Sequence, residues 1–99
     1  MDIRRIILST KAERNLLKVT KHIVLKLNSW VEPVTENGLN YTRKIPGYHD
    51  EPLKGDRKGQ RSIRLSKSYR AIYVIRENNK IEFIEVCEVN KHEYQHWHH

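Results

Sequence analysis

Apolar residues recur along this 99-residue chain with two different periods, and the change of period marks its elements. Ile3 to Ser9 is short, apolar and β-branched, which predicts a first strand. Ala12, Leu16, Val19, Ile23, Leu27 and Trp30 then follow at steps of three and four, the spacing of a helical stripe facing a core, and the stripe continues to about Glu32. Thr10-Lys11-Ala12-Glu13 in front of it has the pattern of a capping box, in which a threonine oxygen and a glutamate carboxylate satisfy free backbone donors of the first turn. Nothing between His22 and Asn28 breaks a helix, so the spacing accommodates one long helix or two packed in a hairpin. Pro33 and then Asn37-Gly38 are expected to end the helical region, the glycine suiting a positive-φ cap.

Residues 39–59, rich in Gly, Pro and charge, read as a long loop of the kind that often carries function. The period then falls to two. Gln60 to Ser66, Tyr69 to Glu77 and Lys80 to Asn90 are predicted strands, with Asn78-Asn79 suited to a two-residue type I′ turn. That turn would set Arg70 opposite Cys87 and Ala71 opposite Val86. A three-residue turn at Ser66-Lys67-Ser68 would set Leu65 opposite Tyr69 and Arg64 opposite Arg70. One face of the sheet then carries Ile63, Leu65, Ala71, Tyr73, Ile84 and Val86 for the helices to cover, whereas the other brings two arginines side by side. Such a pair is unfavourable unless an anion or carboxylate lies between its members. The alternative assignment makes Arg64 and Arg70 structural ion pairs with Glu85 or other acids.

Composition adds a polyanion-binding bias. Lys and Arg outnumber Asp and Glu by 19 to 12, a formal net charge of +7, and the excess favours nucleic acid, an acidic protein or an anionic membrane surface as partner. A length of 99 residues corresponds to a single domain, residues 1–99, with one small core. Cys87, the only cysteine, excludes an intramolecular disulfide and reads as a buried structural thiol. No apolar run approaches the roughly 20 residues of a membrane span and the N-terminus lacks a signal-peptide core, so a soluble, cytoplasmic protein is expected. His96-Trp97-His98-His99 has no Cys or carboxylate at metal-ligand spacing and reads equally as the remnant of an affinity tag.

Candidate chemistry lies in the second half. A dense run of cations from Arg57 to Arg70 precedes Asn90-Lys91-His92-Glu93-Tyr94, so strand pairing would bring phosphate-binding groups near side chains able to move protons, as an RNA-cutting site requires. Histidine, with a reference pKa of about 6.5, suits proton transfer near neutral pH, which makes His92 the candidate acid. Arg64 and Arg70 would stabilise charge on the phosphate, and Tyr94 would stack on or orient a base. His49 and Glu51 are candidate bases. Lys54, Arg57, Lys58 and Arg61, with Lys91, would track an RNA backbone.

Leu53-Lys54-Gly55, Arg61-Ser62-Ile63-Arg64-Leu65, Tyr69-Arg70-Ala71-Ile72-Tyr73 and Lys91-His92-Glu93-Tyr94, in this order of elements, resemble the RelE/HigB-like toxins of bacterial toxin-antitoxin pairs. The resemblance covers most of the chain. It implies an α+β fold, a helical hairpin packed on a small antiparallel β-sheet with the first strand inserted beside the later ones. It also implies cleavage of mRNA, often on the ribosome, without a metal or other cofactor, and silencing by a cognate antitoxin that usually carries a DNA-binding domain of helix-turn-helix type. Residue by residue, Arg70 matches the family's strand arginine at the scissile phosphate, Arg64 a basic position on the preceding strand, Tyr94 the terminal tyrosine and His92 the basic residue before it. Ser62 stands where some relatives place a lysine that helps activate the nucleophile. ParE-like toxins share the architecture yet act by binding DNA gyrase, and a non-toxic RNA-binding module is a third reading.

Overall fold

The computed structural model describes residues 2–91. Strand β1 (Ile6–Leu8) leads into helices α1 (Thr10–Leu16), α2 (Lys21–Asn37) and α3 (Leu39–Arg43). A 3₁₀ turn (Pro46–Tyr48), the short strand β2 (Glu51–Pro52) and a second 3₁₀ turn (Gly55–Arg57) follow, and then β3 (Arg61–Arg64), β4 (Tyr69–Asn78) and β5 (Ile81–Lys91). The sheet order is β1-β5-β4-β3-β2, with β1 parallel to β5 and every other pair antiparallel. The fold is α+β.

The helical region is a hairpin, and it differs from expectation at both ends. Its cap is Ser9: the Oγ accepts the Ala12 N–H at 3.0 Å and donates to the Cys87 carbonyl at 2.7 Å, so one hydroxyl starts α1 and ties it to β5. Thr10 is already the first helical residue. Residues 17–20 separate the helices, the Leu17 and Lys18 N–H groups reaching back only three residues, to Arg14 and Asn15. Pro33 does not stop α2. The apolar stripe Ile23, Leu27, Trp30, Val34 is buried along the whole helix, and that burial offsets the one backbone bond that proline cannot make. The stop comes at Gly38, whose φ of 93° and contact with Asp2 leave no room for a Cβ.

The helix-covered face of the sheet is as the alternation predicts: Ile63, Leu65, Ala71, Tyr73, Ile84 and Val86 are all buried, with Trp30 packed against Tyr73 at a centroid distance of 5.4 Å. The β3–β4 register also holds, with Ile63 opposite Ala71 and Arg64 opposite Arg70. The β4–β5 register differs. The turn lies one residue later, at Asn79-Lys80, both at positive φ, so Asn78 pairs with Ile81 and Tyr73 with Val86. A bulge at Cys87 then resets the ladder, giving Ala71 opposite Val89 and Arg70 opposite Asn90. Val86 and Val89 are three residues apart, and only an inserted residue lets both face the core. Helix α1 supplies partners at the irregularity, the Cys87 carbonyl accepting from Ser9 and the Val89 N–H donating to Asn15 Oδ1 at 3.0 Å. Cys87 is accordingly half-buried rather than enclosed.

Residues 39–59 form less of a loop than their composition predicts. Helix α3, two 3₁₀ turns and β2 account for most of them, with β2 docked antiparallel on β3 through Glu51–Ser62 and Pro52–Arg61.

Candidate nucleic-acid interface

Strand register arranges the outer face of the sheet in two rows. Glu51, Ser62, Ile72 and Glu88 are successive partners across β2, β3, β4 and β5, and Arg64, Arg70 and Asn90 form the next row. The rows stand roughly 7 Å apart along the strands. A cleft of about 160 Å³ opens over their β3–β4 end, lined by Arg64, Arg70, Tyr69, Ser62, Glu51 and His49. The Ser66–Ser68 turn closes one side and adds Lys67. Both arginines and both candidate bases of the sequence reading therefore meet in one open site.

The arginines meet without neutralisation. Among the described residues neither Arg64 nor Arg70 makes an ion pair, and Glu85 is taken by Arg76 at 2.8 Å. The Arg70 Nε is buried and has no hydrogen-bond partner there. Burial, and then the neighbouring Arg57 charge, lower the Arg70 pKa below the usual arginine value, while Glu88 and Glu51 pull the other way. Such a guanidinium remains charged, but an oxyanion placed against it would gain a fixed, partly desolvated donor.

The other predicted cations fall into two groups. Lys54, Lys58 and Lys91 are exposed and lie outside the cleft lining. Arg57 and Arg61 are committed to carboxylates. Arg57 reaches from the β2–β3 connection to Glu88 on β5, with N–O distances of 3.3 Å, and also to Gln60 Oε1 at 2.9 Å. Its side chain thus spans β3 and β4, and Ile72, in the same row as Glu88, is fully buried. Arg61 Nε donates to Asp50 Oδ1 at 2.7 Å, and Tyr73 Oη donates to Asp50 Oδ2 at 2.6 Å. Burial works against the charged Arg61, but the bond to Asp50 and its charge more than offset this, and the Arg61 pKa is raised. Tyr73 is held neutral by burial and by Asp50.

Asp50 and Lys67 carry no periodic signal of their own. A signal for Arg61 was present, because it shares the parity of Ile63 and Leu65 and so belongs to the helix-covered face. Lys91, the last described residue, pairs with Tyr69 of the cleft. His92, Tyr94 and the histidine-rich tail lie outside the described residues. Among the described residues, no three His, Cys, Asp or Glu side chains gather as a metal site would require, and no helix is long and apolar enough to cross a membrane.

Several solved structures of bacterial toxins share this architecture. A YoeB/ParE toxin from Agrobacterium tumefaciens superposes with a TM-score of 0.68 at 18% identity, covering 90% of this chain and 99% of that one. YafQ in the Escherichia coli DinJ-YafQ toxin-antitoxin complex gives 0.64 at 23% identity, covering 91% and 94%. The Mycobacterium tuberculosis RelBE2 toxin-antitoxin complex gives 0.55 at 19%, covering 91% and 99%. The chain has the RelE-type toxin fold. Compared by sequence, it matches no family model and no curated protein. The cleft occupies the face of the sheet opposite the one the helices cover.

Proposed function

We propose that this chain is the toxin of a toxin-antitoxin pair and acts as a metal-independent endoribonuclease on mRNA, in association with the ribosome. One observation carries the reading: Arg64 and Arg70 stand side by side, unpaired among the described residues, in an open cleft that also holds Glu51 and His49. A like-charge pair of this kind costs stability in the free protein and gains a function when a phosphate lies between its members.

In this reading the RNA 2′-hydroxyl attacks its own phosphate. Glu51, on the same face of the sheet as the arginines, takes the 2′ proton, with His49 at the rim as the second acceptor. The 2′-oxygen–phosphorus bond forms while Arg64 and Arg70 bear the charge gathering on the phosphoryl oxygens. The 5′-oxygen–phosphorus bond breaks and His92 returns a proton to the leaving oxygen, yielding a 2′,3′-cyclic phosphate and a 5′-hydroxyl. Ser62 occupies the position of a lysine in some relatives, so activation of the nucleophile rests on the carboxylate. Tyr94 is the stacking group, and Lys54, Lys58, Lys67 and Lys91 supply exposed positive charge for the strand on either side.

The partner is a neutralising antitoxin that lays an acidic or amphipathic segment over the arginine-bearing face and carries a helix-turn-helix DNA-binding domain. Expression of this chain alone should arrest growth, and co-expression of the small protein encoded beside it should restore growth through a stable complex. Abundant, harmless expression with no complex would remove the toxin reading.

A further inference from the structure

Asp50 is the most enclosed acidic side chain among the four ion pairs of the described residues, with 0% of its side chain exposed, and the reaction above makes no use of it. It accepts hydrogen bonds from two strands at once, Arg61 on β3 and Tyr73 on β4, and Trp30 of α2 packs on Tyr73 from the helix layer. A buried ion pair breaks about even in stability against apolar side chains of the same shape, so what it supplies here is direction. Direction is what the adjacent segment lacks. Strand β2 has only two residues, one of them Pro52 with no N–H to give the ladder, and His49 enters it in the left-handed region at φ 46°. Alternation sends consecutive strand residues to opposite faces, so holding Asp50 inward turns Glu51 outward.

Resting on the ribonuclease reading, we propose that Asp50 is the positioning residue of the cleft: gripped from the core by Arg61 and Tyr73, it sets the backbone from which Glu51 faces Arg64 and Arg70. The affinity for RNA, which comes from the cations, should then be separable from the rate, which depends on where the carboxylate stands.

The test compares the full-length wild type with Asp50→Ala and Asp50→Asn. Single-turnover cleavage of mRNA on programmed ribosomes gives the maximal rate and the half-saturating concentration. Hydrogen exchange is followed at the Leu53 amide, bonded to the Gln60 carbonyl beside β2, and at the Ile84 amide, bonded to Arg5 in the sheet. A displacement of order 1 Å costs about a hundredfold in rate, and that is the loss expected for Asp50→Ala, with half-saturation within about threefold of wild type. Exchange should accelerate at Leu53 and not at Ile84. Asn has the same shape and keeps one good pairing at a time, so it should recover about tenfold of the lost rate. If the alanine variant does not fold, the asparagine variant carries the comparison, with a rate loss of about tenfold and unchanged half-saturation. An unchanged rate in a folded variant, or equal acceleration of exchange at both amides, would overturn the proposal. Absence of cleavage by the wild type would defeat the ribonuclease reading instead. Unaltered Leu53 exchange in the variants would still refute the tether.

Discussion

Arg70 concentrates the physical cost of this molecule in one side chain. It faces Arg64 across the strand pair, its Nε is buried without a partner among the described residues, and Arg57 adds a third charge nearby. Like charges directly opposed are worth a few tenths to about 1 kcal/mol of destabilisation. Arg70→Ala should therefore abolish cleavage while leaving the melting temperature equal or higher; a marked fall in melting temperature would make Arg70 a structural residue. Asp2 behaves in the opposite way. The Asn40 N–H donates to its carboxylate, as do other backbone groups, and lowers its pKa. A depressed carboxyl contributes stability that is complete above its unfolded pKa of about 3.9 and lost as pH falls through the lower folded value. The stability gap between wild type and Asp2→Ala should thus be constant near neutrality and close in acid, and denaturant titrations at several pH values measure it. At this scale the arginine pair was legible because alternation and one short turn determine it. Asp50 was not, since a lone aspartate in a charged loop gives no sign of which way it points.

Among the elements, the β3–β4 pair could be read from the sequence and the β4–β5 pair could not, for a physical reason. A regular ladder preserves parity, and Val86 and Val89 break parity by one residue, which only a bulge repairs. Their apolar spacing of three was the available clue. The helix break at residues 17–20 had none comparable, because the stripe runs through it without a gap in phase. Hairpin geometry leads to a prediction. Lys80 sits at φ 67° in the turn, where a side chain with a Cβ is disfavoured by about 1 kcal/mol and glycine is not. Lys80→Gly should stabilise the protein by roughly 0.5 kcal/mol after the greater freedom of the unfolded glycine is deducted. No gain in chemical denaturation would mean that the turn relaxes its strain elsewhere.

Over the whole molecule, the cations of the dense run are less available than their number suggests, because Arg57 and Arg61 are held by carboxylates. Lys54 and Lys58 are exposed, whereas Arg57 and Arg61 hold Glu88 and Asp50. Replacing either lysine by alanine should weaken RNA binding similarly across sequences and reduce the salt slope by about one unit. Replacing Arg57 or Arg61 should leave the slope nearly unchanged and lower stability. Equal slope changes for all four would mean that RNA displaces the ion pairs. The central claim is that this cleft cuts RNA, and it is tested most directly by adding the purified protein to translating ribosomes and mapping new mRNA ends, with a gyrase supercoiling assay in parallel. The account predicts new 5′-hydroxyl ends that disappear with Arg70→Ala and supercoiling that proceeds unhindered. Intact mRNA together with blocked supercoiling would contradict it and make the protein a gyrase-binding toxin on the same fold.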